Sequence, residues 1–281
     1  MKKDYDVIIV GAGPAGIMCA YELAEKNKDL KILLLDKGHD IYNRKCPIID
    51  KKIDKCPVQK NGFVACNPYC SITNGFGGAG AYSDGKFNIT SEFGGWMDEY
   101  LEPNTILDLI KYADSINLKF GAPKTITNPN TDKVKEIEKK GLAVGLKLLR
   151  AELRHLGTEV NLQVLKNIRE YLENRIDMYF KTEVKNIIVR DEAIKGVKLN
   201  DDTIVEAKNV VIVPGRDGSY WLSNLAKEHD ISMKSNHVDI GVRVETNNEI
   251  MEEINEHLYE GKFIYRTKVG STVRTFCSNP S

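Results

Sequence analysis

Apolar residues fall first into short unbroken runs and then into helical spacing, and the change of period predicts the elements. Val7-Ile8-Ile9-Val10 is a continuous apolar run that ends in glycine, the pattern of a strand buried on both faces. Ala15 to Lys26 then reads as a helix, and Lys31-Ile32-Leu33-Leu34-Leu35 as a second buried strand. Between Gly38 and Gly95 periodicity is almost lost, and Gly, Cys, Asn and Lys dominate. So long an irregular stretch inside a compact chain is functional or disordered. Helical spacing returns in three segments. Asn104 or Thr105 caps a face of Ile106, Leu109, Ile110, Ala113 and Ile116, stopped by Gly121-Ala122-Pro123. Asn130 or Thr131 opens one with Val134, Ile137, Leu142, Leu146 and Leu149 on one side. Asn161 opens one with Leu165, Ile168, Leu172 and Ile176.

The period then shortens. Glu183 to Arg190, Ile194 to Leu199 and Thr203 to Glu206 are β-prone runs separated by turn residues, as in a meander. Asn209 to Val213 is another buried strand, closed by Pro214-Gly215. Val238 to Glu245 reads as a strand, Ile250 to Leu258 as a short helix and Phe263 to Phe276 as a hairpin. The opening strand, glycine turn, helix and strand form a βαβ unit, so the expected class is α/β with a parallel sheet joined to an antiparallel meander.

Composition narrows the function. The chain has 281 residues, and its 40 Lys+Arg balance 40 Asp+Glu. Zero net charge argues against a nucleic-acid or membrane-surface partner. At 42% hydrophobic the chain can build a true core, and six Cys are too few for a disulfide-built fold, which suits a reducing compartment. No span reaches the roughly 18 apolar residues of a membrane helix. Val7 to Tyr21 imitates a signal peptide after Lys2 and Lys3, but Asp4, Asp6 and the glycines and proline within it argue otherwise. The expected location is the cytoplasm.

Gly11-Ala12-Gly13-Pro14-Ala15-Gly16 is a G-x-G-x-x-G fingerprint. It follows a predicted strand, opens a predicted helix, and has Asp36 twenty residues beyond Gly16, at the end of the next strand. Gly11 permits the tight turn, Gly13 lets the backbone approach a pyrophosphate, and Gly16 lets the helix pack close to the strand. The helix start then offers N–H groups to phosphate. Asp36, with Lys37 and Gly38 after it, would accept from the ribose hydroxyls and disfavour a 2′-phosphate. The pattern indicates a Rossmann-like dinucleotide site without deciding between FAD and NAD.

The segment from Arg175 to Gly215 resembles the second half of the FAD domain in glutathione-reductase-type flavoproteins. That resemblance implies FAD, with the backbone of Val184 at the adenine and Gly215 letting the chain pass close to the cofactor. Asn74 to Lys86, reading N-G-F-G-G-A-G-A-Y-S-D-G-K, closely resembles a bacterial family of uncharacterised FAD-utilising dehydrogenases. Arg154 to Thr158 and Val273 to Cys277 are similar to the same family, and the resemblance spans the chain. Five glycines between positions 75 and 85 give a backbone able to wrap a flat or phosphorylated ligand. The resemblance implies that Gly77, Gly78, Ala79, Gly80, Ser83 and Asp84 lie along the flavin. It also implies a discontinuous FAD-binding domain of residues 1–100 and 161–236, a helical insertion at 101–160, and the start of an α+β substrate domain at 237–281. Because this superfamily closes its FAD site with a late Gly-Asp segment that does not follow Gly215, the chain reads as C-terminally truncated.

Catalytic chemistry is less legible. Cys46, Cys56, Cys66 and Cys70 follow a C-x9-C-x9-C-x3-C spacing that matches no familiar zinc or iron–sulfur pattern, so no metal is expected. Cys66 and Cys70 can be read as a redox pair, since disulfide reductases of the superfamily carry one in this region, although theirs has four intervening residues. The leading reading of all four is ordinary thiols in a loop near the cofactor. Lys86 could stabilise reduced flavin, His155 could donate a proton, and Arg243 and Arg274 could clamp an anion. Each also reads as an ordinary structural or surface charge. The leading expectation is an FAD-dependent dehydrogenase acting on an unknown small molecule or electron acceptor, with NAD(P)H as a possible donor. The alternatives are a tRNA-modifying type of FAD protein, which the neutral charge disfavours, and an inactive fragment.

Overall fold

The computed structural model describes residues 1–56, 69–236, 238–259 and 261–275. Its first half contains β1 (Asp4–Val10), α1 (Pro14–Lys26), β2 (Ile32–Leu35), β3 (Lys86–Ile89), α2 (Pro103–Lys119), α3 (Asp132–Ala143), β4 (Leu146–Leu149) and β5 (Glu152–His155). The rest contains α4 (Thr158–Glu173), β6 (Asp177–Tyr179), β7 (Val184–Arg190), β8 (Ala193–Leu199), β9 (Ile204–Ile212), α5 (Ser219–Glu228), α6 (Asn248–His257), β10 (Lys262–Arg266) and β11 (Thr272–Arg274). The chain divides into two units, one of residues 1–85, 119–122 and 156–235, the other of 86–118, 123–155 and 236–281.

The first unit is built on a six-stranded sheet in the order β6-β2-β1-β9-β8-β7. β6, β2, β1 and β9 are parallel neighbours, while β9, β8 and β7 form the antiparallel meander. The class is therefore the Rossmann-like α/β arrangement that the patterning predicts. Ile8, Ile9, Leu33, Leu34 and Leu35 are fully buried, which is why β1 and β2 read as unbroken apolar runs rather than as alternation. One face of the sheet carries the core of Tyr5, Ile8, Val10, Leu33, Leu35, Val197 and Val205. α1 contributes Ile17, Ala20, Tyr21 and Ala24 as its buried stripe, and each fully buried large side chain is worth about 1.5–3 kcal/mol.

In the second unit β4, β10 and β11 form a three-stranded antiparallel sheet. Val134 and Ile137 of α3 pack with Leu148, Leu258 and Phe263. β3 and β5 pair antiparallel, with Lys86 opposite His155. The Arg154 side chain is buried and makes two 2.7 Å bonds to the Asp114 carboxylate, while its Nη1 donates to Pro123 O at 2.5 Å.

Several sequence expectations shift. Thr203 to Glu206 and Asn209 to Val213 are one continuous strand, β9, because its N-terminal half pairs with β8 and its C-terminal half with β1. The helix from Thr131 stops at Ala143, and Gly145 in the left-handed region (φ 80°) turns the chain so that Leu146 and Leu149 lie in β4. Hence the 101–160 stretch holds β4 and β5 besides helix. Leu109 is exposed although it was expected on the apolar face, because α2 turns Ile106, Asp114, Ile116 and Asn117 inward. Residues 238–245, expected as a strand, join no ladder. Among the described residues no helix is long and apolar enough to cross a membrane.

The Asp114–Arg154 pair gives the first prediction. Removing one partner of a buried ion pair strands the other charge, at a cost of about 3–5 kcal/mol. Asp114→Ala should lower the unfolding free energy by that amount, as measured by urea unfolding; a change near zero would contradict the burial of the pair.

Candidate functional site

The site forms where the carboxyl ends of parallel strands open, the position at which doubly wound sheets bind ligands. β1 ends in Gly11-Ala12-Gly13, β2 in Asp36-Lys37-Gly38 and β9 in Val213-Pro214-Gly215. The loops are stitched edge to edge: Gly11 N donates to Leu35 O (2.8 Å) and Val213 N to Val10 O (2.9 Å).

Asp36 ties this edge together. Its Oδ2 accepts from Ala12 N at 2.8 Å, and its Oδ1 from Gly38 N at 2.7 Å and from Gly75 N at 3.0 Å. Three N–H groups from three separate loops therefore converge on one carboxylate. Such a group has about four acceptor sites, so capacity remains for a ribose hydroxyl. The sequence indicated Asp36 as a ligand residue, and the structure adds this structural role.

The glycine run is held rather than free. Gly77 N donates to Ala12 O at 2.8 Å. A Cβ on Gly78 would come within 3.0 Å of Gly13 Cα, so the run lies against the fingerprint turn. Residues 78–82, which include Ala79 and Gly80, form a 3₁₀ turn. Asn161 Nδ2 donates to Gly80 O at 2.8 Å, and Ser83 Oγ donates to the same carbonyl at 2.8 Å. Asp84 O accepts from Gly157 N at 2.9 Å. Buried Arg44 clamps the approach to the run, donating to Ser71 O (2.8 Å), Phe76 O (2.7 Å) and Ile72 O (3.0 Å). Burial pushes its guanidinium below the ordinary arginine value, opposed by Tyr82, Asp36 and Cys70. Sequence reading missed Arg44, because one arginine in a polar loop carries no periodic signal. It took Asn161 for a helix cap, whereas its side chain reaches back to the glycine run.

The glycines separate into two kinds. A Cβ on Gly11 would lie 2.3 Å from Val213 O, one on Gly16 1.9 Å from Gly11 O, and one on Gly38 2.3 Å from Gly75 N. These three are required by the fold itself. Around Gly13 and Gly215 nothing beyond the adjoining residues of the chain lies within 4 Å of where a Cβ would be. Gly215 has φ 65° and so needs glycine for its backbone. Gly13 has φ −75° and ψ −177°, which any residue adopts. Neither packing nor strain accounts for glycine at position 13, whereas a ligand approaching the backbone would. Gly13 also caps α1, whose first turn has Pro14 at its start, no side-chain cap and no acidic residue. The N–H groups there, from Ala15 and Gly16, lack intrahelical acceptors and suit an anion. The residues thus fit a dinucleotide pyrophosphate.

The remaining candidates divide. Lys37 Nζ pairs with Asp217 and lies 4.4 Å over the Tyr69 ring. Val184 buries its side chain in the sheet core and begins β7. Lys86 and His155 belong to the second unit, where His155 Nε2 lies 2.8 Å from Tyr259 Oη and Lys86 Nζ 5.2 Å from the Tyr259 ring centre. Cys66 lies outside the described residues. Cys46, Cys56 and Cys70 are free thiols lining an apolar cavity of about 230 Å3 with Ile48, Ile49 and Ile72. Among the described residues no group of three or more His, Cys, Asp or Glu side chains is placed to hold a metal ion. Arg243 and Arg274 pair with Glu245 and Asp239 in the second unit.

Fold and site together define a Rossmann-like dinucleotide-binding domain. Residues 5–142, just under half of the chain, match the pyridine nucleotide-disulphide oxidoreductase family. A stretch of 33 residues is 58% identical to thiamine thiazole synthase of Coprinopsis cinerea, covering 12% of this chain and 10% of that protein. Among solved structures the chain is similar to L-amino acid deaminase from Proteus vulgaris, with 14% identity and a TM-score of 0.46 over 99% of this chain and 61% of that one. Glycine oxidase from Geobacillus kaustophilus has 16% identity and a TM-score of 0.44 over 82% and 60%. The chain therefore spans less than two thirds of the length of each of these three proteins.

Replacing Asp36 with Asn turns one acceptor oxygen into a donor that faces backbone N–H groups. Stranded buried donors cost about 1–3 kcal/mol. Asp36→Asn should lose that much stability with no cofactor present, read by thermal or urea unfolding of the apoprotein. An unchanged midpoint would remove the structural role.

Proposed function

We propose that the chain is an FAD-dependent oxidoreductase that acts on a small-molecule substrate or electron acceptor. The observation that carries this reading is Gly13, a glycine that neither its backbone angles nor its neighbours require, at an uncapped helix start beside Asp36. The family match over residues 5–142 supports it.

In this reading Ala15 and Gly16 N–H groups bind the pyrophosphate, and the helix start favours its charge. The spare acceptor capacity of Asp36 holds a ribose hydroxyl, while Gly13 and Gly215 leave the backbone bare for close approach. The backbone at Val184 faces adenine, and the run from Gly77 to Asp84 serves the flavin side, as the sequence resemblance implies. FAD bound there would supply a two-electron acceptor for hydride. The fold's contribution is to orient the dinucleotide with loops already bonded to one another. The second unit is proposed to serve the substrate, NAD(P)H to be the electron donor, and the cytoplasm to be the setting. Zero net charge supports a small-molecule rather than a nucleic-acid or membrane partner.

The test is an absorption spectrum of the purified protein before and after reconstitution with FAD. A protein-bound flavin band that survives gel filtration is expected, and its bleaching under anaerobic NADH or NADPH would identify the donor. Failure to retain FAD after reconstitution would overturn the cofactor assignment. A retained flavin that neither nicotinamide bleaches would overturn the donor alone.

A further inference from the structure

Residues 238–245 read V-D-I-G-V-R-V-E, strict alternation of apolar and non-apolar positions. This is the pattern of a strand with one apolar face, yet the segment joins no ladder. Val238, Ile240, Val242 and Val244 are 79%, 94%, 88% and 75% exposed, so every apolar side chain of the run faces solvent. Asp239 is tied to Arg274 at 2.5 Å, within the second unit. The segment is thus tied at Asp239 and carries its apolar side chains open to solvent. An alternating apolar segment that joins no ladder is a template for another strand.

The sequence also says which strand fits. Placed antiparallel to itself about Gly241, the run sets Val238 opposite Val244, Asp239 opposite Arg243, and Ile240 opposite Val242. Every apolar residue meets an apolar one, and Asp239 meets Arg243. Side chains directly opposite in an antiparallel pair point to the same face, so this register keeps both apolar faces together. A shift of one residue would set apolar against polar positions throughout.

We propose that the segment 238–245 is a self-complementary docking strand, and that its occupant is the same segment of a second copy of this chain, paired about a two-fold axis at Gly241. The contact is isologous, which closes at two copies. It supplies main-chain ladder bonds to groups that join no ladder within the chain, and it creates two Asp239–Arg243 pairs per dimer. A two-stranded ribbon alone is weakly stable, so the association is concentration-dependent.

The experiment uses the full chain and reads mass by light scattering on size-exclusion chromatography over a range of loading concentrations. The unaltered protein is expected to shift from monomer to dimer as concentration rises. Arg243→Asp alone sets acid against acid at both contacts, and Asp239→Arg alone sets base against base. Each should weaken the dimer at least about tenfold, since like charges directly opposite are destabilising. The double variant Asp239→Arg with Arg243→Asp restores opposite charges in the same register and should recover dimerisation. These positions lie on an exposed segment outside the sheets, and circular dichroism of each variant checks that the fold is intact. A monomer at every concentration would overturn the proposal, whether the strand's occupant is another protein or a further segment of chain. A dimer that the single variants leave unchanged, or that the double variant fails to recover, would overturn it too.

Discussion

One carboxylate holds the nucleotide-binding edge together. Asp36 accepts from Ala12, Gly38 and Gly75 at 2.7–3.0 Å, so the fingerprint turn, the end of β2 and the glycine run share a single acceptor. Three backbone donors at a sheet edge would otherwise compete for water. With them satisfied internally, the first turn of α1, uncapped by any side chain, keeps N–H donors that lack intrahelical acceptors. The arrangement divides the work: Asp36 satisfies the loops, and the helix start is kept for an anion.

The glycines record the same division. Gly11, Gly16 and Gly38 are contact glycines, each with backbone within 2.3 Å of a would-be Cβ. They allow three loops to sit close enough for Asp36 to bridge them. Gly13 and Gly215 have empty space instead. A fold that needed only compactness would not require glycine at 13, where the backbone is ordinary. Preorganisation follows, because the loops are already bonded to one another through Asp36, Arg44 and Asn161, and little ordering is left for a ligand to impose.

The βαβ unit was legible because its apolar runs, fingerprint glycines and Asp36 are all local signals. The meander was legible for the same reason, apart from the fusion of two runs into β9, which depends on different partners along its two halves. What the sequence hid is what depends on distant partners. Arg44 reaches carbonyls about thirty residues away. Asn161 reaches Gly80 across the chain, and Asp114 is drawn inward by Arg154. None of these leaves a periodic trace. The second unit was the least legible: Gly145 ended a helix that the apolar spacing would have carried on to Leu149, and residues 238–245, whose alternation reads as a strand, join no ladder.

The central claim is that position 13 is glycine for a ligand and not for the fold. Gly13→Ala tests it with two readings on one protein, the unfolding midpoint and the affinity for FAD by flavin fluorescence titration. The account predicts stability within about 1 kcal/mol of the unaltered chain, since an N-cap change and a less flexible unfolded state nearly offset. It predicts FAD affinity lower by at least about tenfold, or 1.4 kcal/mol. Unchanged FAD affinity would contradict it, as would a loss of stability large enough to make Gly13 a structural residue.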